Sequence, residues 1–90
     1  MTDTIARELR EFVVTNFLFG QDDGTLTGDV SFLETGIIDS TGVLELVAFI
    51  EEKYGVSIGD RELLPENLDS LHNVTRFVAR KIDAQEQIAG

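Results

Sequence analysis

Residues 36–55 read GIIDSTGVLELVAFIEEKYG, and this stretch decides how the centre of the chain folds. Asp39 and Ser40 are both favoured N-cap residues, and the apolar positions that follow recur at helical spacing: Val43, Leu46, Val47, Ile50 and Tyr54. This pattern predicts a helix from about residue 40 to residue 54 that ends at Gly55 in the left-handed conformation. At the start of such a helix, free N–H groups and the positive end of the helix dipole favour an attached phosphate, and Ser40 is well placed to carry one.

A helical pattern also opens the chain. Apolar residues follow one another at helical spacing from about residue 4 to residue 17, after a possible cap at Asp3 or Thr4: Ile5, Leu9, Phe12, Val13 and Phe17. The segment from Gly20 to Gly36 is rich in Gly, Asp and Thr and predicts a long ordered loop. Four apolar anchors are expected to pin this loop, namely Leu26, Val30, Phe32 and Leu33.

The last third of the chain predicts a link, a turn and a helix. Val56 and Ile58 alternate like a strand without a pairing partner, so we expect an extended link leading into a helical turn near Asp60 to Leu64. A final helix is predicted from about residue 69 to residue 83 with Asp69 or Ser70 as its cap. Residues 84–90 are expected to fray.

These elements predict an all-α fold, a small bundle of three main helices plus a short third helix, with a long loop between helices one and two. The 90 residues are expected to form one domain, residues 1–90, and to bury roughly two-thirds of the unfolded surface. The expected core comprises Ile5, Leu9, Phe12, Leu33, Leu46, Val47, Ile50, Leu68, Leu71, Val74 and Val78.

The surroundings of Ser40 resemble the attachment region of acyl carrier proteins over nearly the whole chain. In that family, acids follow the modified serine five, eleven and twelve positions on, which here are Glu45, Glu51 and Glu52. Tyr54 and Gly55 match the end of the family's helix. The run LPENLDS at residues 64–70 is similar to the family's approach to its last helix.

The resemblance implies that Ser40 bears 4'-phosphopantetheine derived from coenzyme A, with Asp39 setting the start of the helix. It also implies a short third helix against the second, an interior that can admit an acyl chain, and a carrier without catalysis of its own. The implied partners are a phosphopantetheinyl transferase and an acyl ligase, synthase or acyltransferase with basic docking patches. We expect these enzymes to contact Thr41, Leu44, Glu45, Ala48, Glu51 and Glu52.

Two departures from the family's pattern bear on the cargo. Thr41 stands where the family usually has leucine, and Gly42 where it usually has an acid. This variation is similar to D-alanyl and peptidyl carrier domains, so acyl and aminoacyl cargo both stay open. We interpret the rim of the site as smaller, less apolar and one charge poorer, which favours a specialised lipid or secondary-metabolite carrier over a housekeeping one.

The family's usual Asp-Ser-Leu triplet also occurs in this chain, but at Asp69-Ser70-Leu71. Apolar residues follow it at helical spacing, so Ser70 is interpreted as an N-cap and Ser40 as the modified serine.

The charge is strongly negative and unevenly distributed. The chain has 17 acids and 7 Lys or Arg residues, for a net charge of −10. The segment from Glu11 to Asp60 holds ten acids and a single base, Lys53. This distribution disfavours nucleic-acid binding and suggests an acidic surface around Ser40 that steers basic enzymes.

Other features of the composition restrict the chemistry. The absence of cysteine means that a thioester would need an added thiol. No run of residues suits a membrane span or a signal peptide, so a cytoplasmic monomer is expected.

The sequence offers three alternatives to a carrier function. Residues 23–34 loosely imitate a calcium loop, but Thr25 and Thr27 occupy ligand positions, so no metal site is predicted. For a hydrolase with Ser40 as nucleophile and His72 as base, the sequence has no Gly-x-Ser-x-Gly elbow and no independent sign of an oxyanion hole. The third is an acidic helical interaction module that carries no prosthetic group.

Overall fold

The computed structural model describes residues 2–21, 24 and 26–89, and within them the chain folds as five α-helices without strands. Three helices are long, α1 (Thr2–Phe17), α3 (Ser40–Tyr54) and α5 (Leu71–Ala89). Two are short, α2 (Phe32–Thr35) and α4 (Pro65–Leu68), and a 3₁₀ turn lies at Asp60–Glu62. The all-α bundle with a long first loop is confirmed.

The central helix α3 has the predicted ends. The Asp39 carboxylate accepts a hydrogen bond of 2.7 Å from the Gly42 N–H and caps the first turn. At the other end Gly55 adopts φ 67° and its N–H donates to the Glu51 carbonyl. These two residues therefore bound the helix that carries Ser40.

The core fills the space between the long helices. Leu9 and Val13 of α1, Leu46 and Ile50 of α3, and Val78 of α5 are fully buried. Helix α5 packs along α1 and also contacts α4. The core further includes residues absent from the predicted set: Val13, Leu26, Phe32, Ile38, Val56 and Phe77.

The prediction for Leu33 was wrong, because this side chain is 47% exposed while its neighbour Phe32 is 1% exposed. The two residues belong to α2, a single turn within the segment predicted as loop. Phe32 points into the core, so Leu33 is left at the surface. Phe12 and Val47 are only partly buried against the core.

Several predicted helix ends also differ. Helix α1 begins at Thr2, so Asp3 lies in its first turn and neither Asp3 nor Thr4 is the cap. Residues 65–68 form a separate helix with Pro65 in its first turn, after which α5 begins at Leu71. Helix α5 continues to Ala89 rather than ending near residue 83. Fraying of residues 84–90 stays a prediction, and Gly90 lies outside the described residues.

Candidate functional site

Ser40 is the first residue of α3 and is exposed. Within the part of the chain that the structure describes, its hydroxyl makes no hydrogen bond. Because Asp39 satisfies the Gly42 N–H, the helix start is held without using the serine side chain. The hydroxyl is therefore accessible for covalent modification at a capped helix N-terminus.

An apolar cleft of about 240 Å³, which we call the Ser40 cleft, opens beside this serine. One wall comes from α3, through Val43 and Leu44, and the opposite wall from the segment that leads into α4. The remaining lining residues are Leu33, Leu63, Leu64, Pro65, Leu68 and Asp69. Helix α4 packs on α5 and faces α3 across the cleft, whereas the short third helix was expected near residues 60–64 and against the second helix.

The opposite wall is anchored by Glu62. Its carboxylate accepts hydrogen bonds from the Gly59 N–H at 3.0 Å and from Lys81 Nζ at 2.9 Å. Both contacts favour the ionised form, so they hold the pKa of Glu62 below its usual range. The turn that carries Leu63 and Leu64 is thereby tied to α5.

The third side of the cleft is held by Asp69. Its carboxylate accepts hydrogen bonds from the Ser31 hydroxyl and from the Leu33 N–H, and its carbonyl accepts one from the Phe32 N–H at 2.7 Å. These contacts attach α2 to the α4–α5 junction and place Leu33 at the cleft. Sequence reasoning missed α2, although Ser31 and Glu34 have the spacing of a capping box.

The outward surface of α3 carries the predicted docking residues. Thr41, Glu45, Ala48 and Glu52 are all exposed, and their spacing places them on one stripe, which we call the outer stripe. Leu44 is 59% exposed and stands between this stripe and the Ser40 cleft.

Glu51 differs from the rest of the predicted docking residues. It is half-buried, and its carboxylate accepts a hydrogen bond of 2.8 Å from the Ile58 N–H. This carboxylate holds the extended link after α3 in place.

Gly42 does not lie on the rim of the site as interpreted from the sequence. It is buried, and a Cβ atom at this position would lie 2.8 Å from Phe17 Cε1 and 2.9 Å from Ile38 Cγ2. The glycine therefore reflects close packing between α1 and α3. Thr41 remains exposed next to Ser40.

Ser70, the serine of the second Asp-Ser-Leu match, is 6% exposed. Its Oγ accepts a hydrogen bond of 3.1 Å from the Asn73 N–H at the start of α5. Ser70 is thus the N-cap predicted for this position, while Asp69 binds α2.

The hydrolase and calcium-loop interpretations gain no support from the geometry. His72 is exposed, lies 3.7 Å from an Asp29 carboxylate oxygen, and lines a different cleft from Ser40. Asp23 and Thr25 of the calcium-like loop lie outside the described residues, and the described ones contain no group of His, Asp and Glu able to hold a metal.

Among the residues that the structure describes, no helix is both long and apolar enough to cross a membrane.

Comparison with known proteins identifies a family and two relatives. Residues 18–78 match the model of the phosphopantetheine attachment site family. A probable acyl carrier protein, PigG, from Serratia sp. (strain ATCC 39006) is 33% identical over 73 residues, covering 81% of this chain and 83% of that protein. An acyl carrier protein from Petrotoga mobilis (strain DSM 10674 / SJ95) is 26% identical over 85 residues, covering 94% and 95%.

Proposed function

The chain belongs to the phosphopantetheine attachment site family, and we propose on this premise that it is an acyl carrier protein modified at Ser40. The observation that carries the proposal is that Ser40, the first residue of a capped helix, presents an exposed hydroxyl without a hydrogen bond to any described residue, at the side of an apolar cleft. The same serine falls within the matched residues.

The residues around Ser40 suit a 4'-phosphopantetheine group. Asp39 holds the helix start, and the N-terminus of α3 provides a favourable field for a phosphodiester. Once attached, 4'-phosphopantetheine supplies the thiol that this chain lacks, on which acyl groups are held as thioesters. The cleft between Leu44 and Leu64 offers apolar surface to the arm or to its cargo.

In this role the protein is a carrier without its own catalysis, acting as a monomer in the cytoplasm. The outer stripe, with Leu44 beside it, would receive a phosphopantetheinyl transferase and then an acyl ligase, synthase or acyltransferase. Its exposed carboxylates, Glu45 and Glu52, favour enzymes with basic docking patches.

Intact mass spectrometry tests the attachment residue. Incubation with coenzyme A and a phosphopantetheinyl transferase is expected to add one phosphopantetheine group to the wild type and none to Ser40→Ala. Because the Ser40 hydroxyl forms no hydrogen bond within the described residues, Ser40→Ala should remain folded. Ser57→Ala, which changes another exposed serine, is the matched control and should load normally.

Modification that persists in Ser40→Ala would place the group on another residue. A wild type that takes up no group from several transferases would instead support the unmodified interaction module. Ser70→Ala should load fully while losing about 1 kcal/mol of unfolding free energy, because it removes the α5 cap.

Acyl cargo is proposed over aminoacyl cargo because the Ser40 cleft is lined mainly by aliphatic side chains. Burial of an acyl chain would contribute about 0.8 kcal/mol per methylene removed from water. An octanoyl group is therefore expected to raise the melting temperature and to shift the amides of the cleft residues Val43, Leu63 and Leu68 beyond the changes caused by an alanyl group. Equal spectra and melting temperatures for the two loaded forms would favour the D-alanyl-type or peptidyl carrier.

A further inference from the structure

A second surface, on α1 and α5, has the opposite charge from the outer stripe. A cleft of about 550 Å³ is lined by Arg7 and Arg10 from α1 and by His72 and Arg76 from α5. An adjoining cleft of about 440 Å³ shares Thr2 and Arg76 with it and adds Arg80. Four of the chain's five arginines and its single histidine thus line two connected clefts. Neither cleft shares a lining residue with the Ser40 cleft.

Two arginines of this surface bind neutral groups rather than the protein's own acids. Among the described residues, Arg76 donates to the Asn73 amide oxygen and Arg80 to the Asn67 amide oxygen. Both lysines, by contrast, form ion pairs with the protein's own carboxylates, Lys53 with Glu8 at 3.2 Å and Lys81 with Glu62 at 2.9 Å. In a chain with 17 acids, arginines that bind neutral amides can exchange them for external carboxylates.

The spacing of these cations suits a linear partner. His72, Arg76 and Arg80 are four residues apart and lie on one face of α5, so their side chains repeat about every 6 Å along the helix. We call these three residues the basic stripe. The larger of the two clefts, which forms a groove between α1 and α5, has an apolar floor that includes Ala6 and Leu71. A groove between two helices with an apolar floor and a charged margin fits an amphipathic helix.

Acidic residues near the basic stripe do not cancel it. Asp3 lines the first cleft and Glu66 the second, and Asp29 lies beside His72. The arginines still outnumber the acids that line the two clefts. At physiological ionic strength the Debye length is about 8 Å, which limits the reach of carboxylates elsewhere on the surface.

We propose that the groove between α1 and α5 is a second docking surface, which binds an acidic amphipathic helix of a partner protein through the basic stripe. A second copy of this chain is disfavoured as the occupant because each copy has a net charge of −10. Binding at this groove does not require modification at Ser40. A partner bound there would leave the Ser40 cleft open to a second enzyme.

The test uses a fluorescein-labelled helical peptide with glutamates at every fourth position on one face and alanine or leucine elsewhere. At physiological ionic strength its anisotropy should rise saturably with added protein, and amide shifts should map to residues of the two clefts. Because two charge-assisted contacts are removed together, Arg76→Gln with Arg80→Gln should weaken binding at least about tenfold. Arg61→Gln removes an exposed arginine outside both clefts and should have no effect.

Three results would overturn the proposal. These are absence of saturable binding, equal binding of a peptide with the same composition in scrambled order, or an equal loss of affinity in Arg61→Gln. Ser40→Ala should bind the peptide as the wild type does. Failure of this docking surface is therefore distinguishable from failure of the attachment at Ser40.

Discussion

At the scale of single residues, Gly42 shows how a position beside the candidate site serves packing. Its N–H donates to the Asp39 cap, and its missing side chain admits Phe17 of α1 and Ile38. Phe17 contacts the ring of Phe12, which stacks on Phe49 of α3 at a centroid distance of 4.2 Å. The start of the helix that carries Ser40 is therefore supported by an aromatic contact with α1.

Gly42→Ala is expected to destabilise the protein by about 1–2 kcal/mol, because overpacking outweighs the gain in helix propensity of up to about 1 kcal/mol. Chemical denaturation measures the difference. Gly28→Ala is the control, since a Cβ there would meet only His72 Cβ at an ordinary 3.9 Å. Adding Phe17→Leu should recover part of the loss, and a Gly42→Ala protein as stable as the wild type would contradict the packing role.

At the scale of elements, α3 separates its two tasks by helical periodicity. Leu46 and Ile50 face the core, while the outer stripe faces solvent on the opposite side. The far end of α3 is attached to α1, because the Tyr54 hydroxyl donates to Glu8 at 3.0 Å. Burial of Tyr54 and its bond to this carboxylate both raise the pKa of the phenol, so the hydroxyl stays a donor. The outer stripe is thus presented on a fixed helix.

Glu45→Lys with Glu52→Lys is expected to slow loading by the transferase at least roughly tenfold at low salt, through a lower association rate. The wild-type rate should itself fall as salt rises. Glu11→Lys with Asp60→Lys makes the same change in net charge at exposed positions outside α3 and should slow loading much less. Equal rates for the two double variants would show that overall charge, rather than the outer stripe, sets the rate.

At the scale of the whole molecule, charge is segregated. The segment from Glu11 to Asp60 holds ten acids and one base, whereas the arginines of α1 and α5 line the two clefts beside the basic stripe. Folding brings the acids of this segment closer together than they are in the unfolded chain. Self-repulsion therefore opposes folding, and ions that screen it should stabilise the protein.

Added salt is expected to raise the melting temperature of the unmodified protein, and magnesium should act as strongly as calcium. Differential scanning calorimetry measures the effect of salt, and the magnesium and calcium samples are compared at the same ionic strength. A calcium effect far above that of magnesium, and lost in Asp23→Asn, would indicate a specific site in the loop. Asp23 itself lies outside the described residues.

Local sequence patterns were enough to predict the features that depend on near neighbours in the chain. The ends of α3, its inward face with Leu46 and Ile50, and the position of Ser40 all follow from caps and periodicity, which act within about one helical turn. Features that join distant residues are visible only in the folded chain, such as the hydrogen bond from Ser31 to Asp69 across 38 positions and that from Lys81 to Glu62 across 19. The burial of Gly42 against Phe17 and the exposure of Leu33 belong to the same class. Periodicity identifies the apolar face of a helix, but which residues of two distant segments meet depends on how the whole chain packs, and no local pattern contains that information.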